Sequence, residues 1–108
     1  MSYPLRILTP EGPVFEGEVD HLQVTAFKGS LGVLTGHAPM ISALRTGPGK
    51  ISAASGEQWY VFGEGTLEVR SPDVILLVDY AEKADSYEAA KALAAEDREP
   101  NAQDARLD

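Results

Sequence analysis

Turn-forming residues interrupt residues 1–81 so often that no long helix fits between them. Glycine favours left-handed turn conformations and proline breaks both helices and strand ladders, so each cluster marks a change of direction. The clusters are Pro10-Glu11-Gly12-Pro13, Gly29-Ser30, Gly47-Pro48-Gly49, Ser55-Gly56, Gly63-Glu64-Gly65 and Ser71-Pro72-Asp73. Their close, regular spacing predicts a succession of short strands.

The segments between the turns have strand patterns. Apolar Leu22, Val24 and Ala26 alternate with polar residues, which is typical of a half-buried strand. The run Val74–Val78 is apolar throughout, as expected of a strand covered on both faces. We therefore predict a mostly β protein with an antiparallel β-sandwich or barrel-like domain over residues 1–84, in which Trp59 is a core anchor.

The composition becomes helical after residue 84. Asp85 and Glu88 have the spacing of a capping box, and apolar side chains then recur on one face. Because Pro100 removes a backbone donor, we expect one short helix over about residues 86–97. The rest of the segment 85–108 is expected to be a disordered acidic tail.

Net charge and composition exclude several kinds of partner. The formal net charge is −8, which disfavours binding to nucleic acid and to anionic lipid headgroups. The longest apolar run, Val74–Val78, is far shorter than a membrane span, so no direct lipid insertion is expected. The sequence predicts a monomeric isolated chain whose partners are proteins.

Signatures of catalysis are missing from the sequence. Gly49-Lys50 resembles the end of a phosphate-binding loop, but Leu44 and Ile51 stand where that loop needs Gly and Ser or Thr. His21 and His37 lack the helical spacing of a zinc pair, and the chain has no cysteine. We therefore predict no enzymatic activity, no metal and no cofactor.

The segment Lys28–Met40 is the most informative stretch for function. Its three glycines, Pro39 and interspersed aliphatic residues predict a well-specified bent loop. One interpretation is a purely structural connection in which His37 caps local backbone. The other is an exposed apolar docking surface for a partner.

Four segments resemble the epsilon subunit of bacterial F-type ATP synthase, in the order and spacing of that family. Together they cover about residues 5–84. Their sequences read ILTPEGPVFEGEV, LGVLTGHAPM, GEGTLEV and VILLVD followed by AE, and they occupy residues 7–19, 31–40, 63–69 and 74–82.

This resemblance implies a non-catalytic central-stalk subunit that couples rotation of the gamma subunit to the c-ring. It also implies a peripheral position in the F1 sector at the cytoplasmic face of the bacterial cell membrane. The residues that it places against the gamma subunit are Phe15, His37, Ala38, Met40 and Ile41. The residues that it places against the c-ring are Gly29, Ser30, Leu31 and Gly32. For Phe15 and Met40, core packing is an equally good interpretation.

The chain departs from the family pattern at two points. Family members often have an acidic residue where this chain has Ser30. They also usually follow the β-domain with an inhibitory two-helix hairpin, which binds ATP in some members, whereas the residues after Ala84 provide for one short helix. We therefore expect little inhibitory activity.

The sequence leaves two other functions open. The first is a regulatory nucleotide-sensing subunit. The second is a stand-alone β-sandwich binding module with a ligand such as a carbohydrate, for which Tyr60 and Phe62 are the candidate aromatic platform.

Overall fold

The computed structural model describes the backbone of residues 1–106 and the side chains of residues 1–96. This part of the chain has ten strands followed by one helix, α1 (Tyr87–Arg106). The strands are β1 (Tyr3–Thr9), β2 (Gly12–Val19), β3 (His21–Ala26), β4 (Gly29–Leu34), β5 (Met40–Leu44), β6 (Gly47–Ala53), β7 (Gly56–Phe62), β8 (Gly65–Val69), β9 (Val74–Val78) and β10 (Ala81–Ala84). The predicted mostly β fold with one C-terminal helix is confirmed.

The strands form a nearly closed barrel or sandwich. Their order is β10-β7-β6-β3-β5-β8-β9-β1-β2, and β4 pairs with β3 outside this path. All pairs are antiparallel, as predicted, except β1 with β9, which is parallel. Four of the nine strand pairs join consecutive strands through a short turn, which requires antiparallel pairing. No such turn joins β1 to β9, and their pairing follows the closure of the barrel instead.

The core is a single cluster of inward-facing side chains from nearly every strand. Leu5, Ile7, Leu22, Leu67 and Leu76 are fully buried within it. Burying each such aliphatic side chain contributes about 1.5–3 kcal/mol, so the core supplies the main stabilisation of the barrel. No polar or charged residue is buried among the residues whose side chains are described.

Tyr3 adds a polar tie between β1 and β4. Its ring is buried, and its hydroxyl donates a hydrogen bond of 2.7 Å to the carbonyl oxygen of Val33. Burial strongly raises the pKa of Tyr3, because the phenolate would lose its hydration. The hydroxyl therefore remains a donor, and β4 is held to the core beyond its ladder with β3.

Helix α1 docks on the sheet through small residues. Ala90 and Ala94 are buried, and the helix contacts β6, β7 and β10. Tyr87 meets Trp59 edge-on with ring centroids 5.5 Å apart. The prediction of Trp59 as a core anchor is therefore wrong: the ring is only partly buried and lies beneath the helix, on the outer face of the sheet. No helix within the described part of the chain is long and apolar enough to cross a membrane.

Both ends of α1 differ from the sequence-based expectation. Ser86, rather than Asp85, caps the helix, since the Ser86 hydroxyl accepts a 3.1 Å hydrogen bond from the backbone N–H of Ala89. The helix continues through Pro100 to Arg106, beyond the predicted end near residue 97. A proline removes one backbone donor, and the alanine-rich stretch that precedes Pro100 favours the helix. The predicted disordered tail is thus helical to residue 106, while residues 107–108 lie outside the described residues.

Gly65 should be indispensable for the stability of the barrel. A methyl group there would overlap the carbonyl oxygen of Leu77 and lie 2.7 Å from Cα of Val78 on the neighbouring strand. We expect Gly65→Ala to lower the free energy of unfolding by about 3 kcal/mol, measured by urea denaturation. Gly17→Ala is the matched control, because its methyl would meet only the movable ring edge of Phe15 at 3.3 Å. Equal losses in the two variants would contradict this packing.

Because the pKa of Tyr3 is raised in the folded state, the protein should lose stability at alkaline pH. A tyrosine pKa raised in the folded state contributes stability that is present below the unfolded pKa of about 10 and is lost as pH rises above it. Tyr3→Phe should therefore be less stable by about 1–2 kcal/mol at neutral pH, with a shallower loss above pH ~10. Urea unfolding across this range tests both effects, with exposed Tyr87→Phe as the control. An unchanged alkaline slope in Tyr3→Phe would contradict the assignment.

Candidate partner-binding surface

A two-residue turn at the end of β3 presents exposed groups. Phe27 and Lys28 connect β3 to β4, and Ala26 pairs with Gly29 across the turn. Gly29 has a φ of +128°, which only glycine adopts without strain. The Phe27 side chain is 62% exposed, which is high for an aromatic residue. The hairpin end is therefore an exposed apolar feature beside a lysine.

The segment predicted as one bent loop is mostly strand. Gly29–Leu34 form β4, and only residues 35–39 between β4 and β5 form an irregular connection. The four residues predicted to contact the c-ring, Gly29 to Gly32, thus share the first part of β4. The period-two pattern of β4 is hidden in the sequence because glycine occupies two of its exposed positions, 29 and 32.

His37 organises the connection between β4 and β5. Its backbone N–H donates to the carbonyl oxygen of Leu34 at 3.1 Å, and its ring Nδ1 lies 2.7 Å from the carbonyl oxygen of Ala38. Gly36, with a φ of +86°, permits the turn. These contacts are the local capping role considered for His37. Its predicted contact with the gamma subunit, like that of exposed Ala38, stays a prediction.

Two neighbouring residues of β5 have their side chains on opposite faces of the strand. Met40 is partly buried and packs against the core cluster, whereas the next side chain, Ile41, is 72% exposed. Their opposite orientations follow from the alternation of side chains along a strand. Ile41 is therefore the better candidate for contact with a partner, and Met40 supports the fold beneath it.

A groove of about 440 Å³ is lined by residues from both predictions, those for the c-ring and those for the gamma subunit. It lies where the β3–β4 hairpin and β5 separate, after β5 meets β3 at the single pair Ala26–Leu44. The residues that line it are Ala26, Phe27, Lys28, Gly29, Ser30, Leu31, Met40, Ile41, Ser42 and Ala43. Three residues of the predicted ring set and two of the predicted gamma set thus share one surface, which we call the hairpin groove.

The other predicted contact residues lie elsewhere. Phe15 is on β2, at the far end of the strand order from β4's partner β3, where its ring is partly buried against the core. His37 lines a small separate recess with Tyr3 and Val33. Gly32 and Ala38 are exposed but do not line the hairpin groove. The structure therefore does not join all nine residues into one surface.

The hairpin groove is apolar and almost uncharged. Lys28 is the sole charged residue among those that line it. Glu68, whose backbone pairs with Ile41, is bound by Arg70 through a 3.0 Å ion pair. The Ser30 hydroxyl accepts a 2.8 Å hydrogen bond from the side-chain amide of Gln23. In a chain of net charge −8, this surface is an exception that suits an apolar partner.

One exposed aromatic residue, Phe27, was missed from the sequence, whereas Leu34 belongs to the segment interpreted there as a docking surface. Phe27 and Leu34 are each 62% exposed, and Phe27 lines the hairpin groove. Phe27 falls outside the four segments that carry the family resemblance. Its signal in the sequence was an aromatic residue directly before Lys-Gly-Ser, a position where a turn cannot bury it.

A second cleft of about 530 Å³ lies between α1 and the sheet. Lys50 and Lys91 line it, with their ammonium groups 5.4 Å from the Trp59 ring and 5.9 Å from the Tyr87 ring, respectively. Lys50 also pairs with Glu57 at 3.5 Å, so part of its charge is neutralised. The alternative of a nucleotide-sensing subunit, which named no residues, stays a prediction.

The aromatic platform proposed for a carbohydrate-binding module does not exist. Tyr60 and Phe62 stack with centroids 5.3 Å apart, but each is only 2% exposed. Their burial inside the barrel removes the surface that a sugar ring would stack on. This version of a stand-alone binding module is therefore wrong.

Comparisons with known proteins agree on one family. Residues 2–84 match the model of the ATP synthase Delta/Epsilon chain beta-sandwich domain. The chain is 37% identical to the ATP synthase epsilon chain of Anoxybacillus flavithermus over 92 residues, 85% of this chain and 69% of the relative. It is 36% identical to that of Priestia megaterium over 102 residues, 94% of this chain and 76% of the relative.

Solved structures share the fold at low identity. A mitochondrial ATP synthase of Euglena gracilis (OSCP/F1/c-ring) has a chain with a TM-score of 0.73 at 20% identity, covering 99% of this chain and 68% of that one. The central stalk and c-ring structure from Tetrahymena thermophila has a TM-score of 0.62 at 16% identity, covering 93% and 90%. The chain therefore belongs to the delta/epsilon chain family of ATP synthase, as a non-catalytic accessory subunit of that complex.

Proposed function

We propose that this subunit is part of the central stalk and couples rotation of the gamma subunit to the c-ring. The observation that carries the proposal is the hairpin groove, in which Gly29, Ser30 and Leu31 lie beside Met40 and Ile41. Residues assigned to the ring and to the gamma subunit are thus parts of one apolar surface. A subunit that transmits torque between two partners must contact both of them, and a shared surface allows this.

The mechanical role is supported by how firmly this surface is anchored. The hairpin is paired with β6 through β3, and β4 is tied to the core by the Tyr3–Val33 hydrogen bond. Val33 is fully buried behind the exposed face of β4. A densely packed barrel has low compressibility, so force applied at the hairpin is transmitted with little deformation.

The same proposal gives the location of the subunit. It sits in the F1 sector at the cytoplasmic face of the bacterial cell membrane, as a peripheral protein held by protein contacts. The chain's acidity supports this, because anionic lipid headgroups would repel it.

The docked helix supports coupling without strong inhibition. Ala90 and Ala94 are buried on the sheet, Tyr87 contacts Trp59, and extension of α1 would expose these groups. We expect deletion of residues 85–108 to change ATP hydrolysis by the reconstituted complex less than twofold, since the helix stabilises the barrel rather than blocking rotation. A steady-state hydrolysis assay with intact and shortened subunit measures this. A several-fold rise in ATP hydrolysis on deletion would show that the helix inhibits the complex and would refute this expectation.

The groove predicts which substitution weakens binding of the gamma subunit. Ile41→Glu places a carboxylate on the exposed apolar surface without touching the core, so the fold should be retained. We expect its Kd for purified gamma subunit to rise at least about tenfold, which corresponds to 1.4 kcal/mol, as measured by fluorescence anisotropy. Met40→Glu is less informative, because Met40 packs against the core.

Leu77→Glu is the matched control. Leu77 is 45% exposed and lines a different groove, with Leu8, Pro10 and Asp79. The same change of charge there should leave binding of gamma unaltered. If Leu77→Glu weakens binding as much as Ile41→Glu, the choice of surface is wrong. If the wild-type chain does not bind gamma at all, the coupling role itself is refuted.

A further inference from the structure

The outer edge of β4 has unpaired backbone groups. Strand β4 pairs with β3 on one side, and in the described part of the chain no strand pairs with its other side. The register of β3 shows which residues face that edge. The carbonyl oxygen of Thr25 accepts a hydrogen bond from the backbone N–H of Arg45, on the side of β3 away from β4.

Thr25 lies directly opposite Ser30 across the β3–β4 ladder. Because the backbone groups of Thr25 point away from β4, this is a non-hydrogen-bonded pair, so the N–H and C=O of Ser30 also point outward. Alternation then turns Gly32 and Leu34 outward as well. The carbonyl oxygen of Leu34 does bond to the N–H of His37 rather than to β3, which supports this assignment.

Strand β5 has a similar free edge near the hairpin groove. The N–H of Arg45 faces β3, so alternation turns the backbone of Ile41 towards the same side. There the hairpin has already separated from β5, since the two strands β3 and β5 pair only at Ala26–Leu44. Ser30 and Ile41 both line the hairpin groove. The groove is therefore bordered by backbone donors and acceptors as well as by apolar side chains.

Unpaired strand edges select an extended polypeptide as their partner, because only a β-strand matches their spacing of donors and acceptors. We propose that an extended segment of the gamma subunit adds to the outer edge of β4 as a strand, with its apolar side chains in the hairpin groove. This inference rests on the proposed function and names the form of the gamma contact. It leaves the exposed face of β4 available to the c-ring at the same time.

The charge of the groove specifies the chemistry of the segment. Nine of the ten lining residues are uncharged and the other is Lys28. A basic segment would meet this lysine without any lining carboxylate to offset it. The segment is therefore mostly uncharged, with alternate apolar residues, and any charge near the hairpin end is acidic.

Residue-resolved amide hydrogen exchange on the wild-type protein tests the edge directly. In the free protein the amides of Ser30 and Gly32 should exchange quickly, whereas that of Leu31, which faces β3, should be protected. Saturating purified gamma subunit should slow exchange at Ser30 and Gly32 by at least about tenfold, as new hydrogen bonds form. If gamma binds and these two amides remain fast, the added strand is refuted while the coupling role stands.

Ser30→Pro tests the same edge by removing one donor. Proline is tolerated at an edge strand when its missing N–H faces away from the ladder, so the urea midpoint should stay close to that of the control, Ser30→Ala. We expect Ser30→Pro to raise the Kd for gamma at least about tenfold relative to Ser30→Ala. The control keeps the N–H and loses the hydroxyl. Equal affinities, or protection that appears with the c-ring and not with gamma, would overturn the proposal.

Discussion

Strand β3 pairs with three other strands, and the position of the hairpin groove depends on that arrangement. It pairs with β6 at one end, with β4 along its whole length and with β5 at Ala26 alone. A strand has two edges, so β5 can meet β3 only where β6 has ended. The resulting separation of β5 from the hairpin opens the groove. The same geometry leaves the outer edge of β4 without a partner among the described strands.

The stability of this arrangement comes from the opposite face of the same strands. Leu22, Val24 and Val33 are buried beneath the hairpin, where they join the common core. Each residue that turns inward forces its neighbours outward, because side chains alternate along a strand. Exposure of Ile41 and partial burial of Met40 are two results of this one constraint. The hairpin groove is therefore built directly on the packed core.

Much of the fold could be predicted from sequence because its signals are local. The turn clusters and the alternation at residues 22–26 predict short strands without any knowledge of tertiary contacts. The parallel pairing of β1 with β9 could not be predicted, since it joins segments far apart in the chain. Trp59 was misplaced for a related reason. Its large ring suggested the core, but helix α1 supplies a second apolar surface that strand patterns do not reveal.

The candidate surface was only partly predictable, and the reason lies in the backbone. A resemblance in residues 31–40 indicates a candidate contact segment, but it cannot show that Met40 and Ile41 have opposite orientations or that Phe27 lines the same groove. Which amides of β4 are free depends on the register fixed by the Phe27–Lys28 turn and by the bond from Arg45 to Thr25. A shift of one residue would exchange the free and paired groups, and Leu31 would then face the edge in place of Ser30. The strand register thus determines which backbone donors and acceptors face a partner, and the side chains add specificity to that pattern.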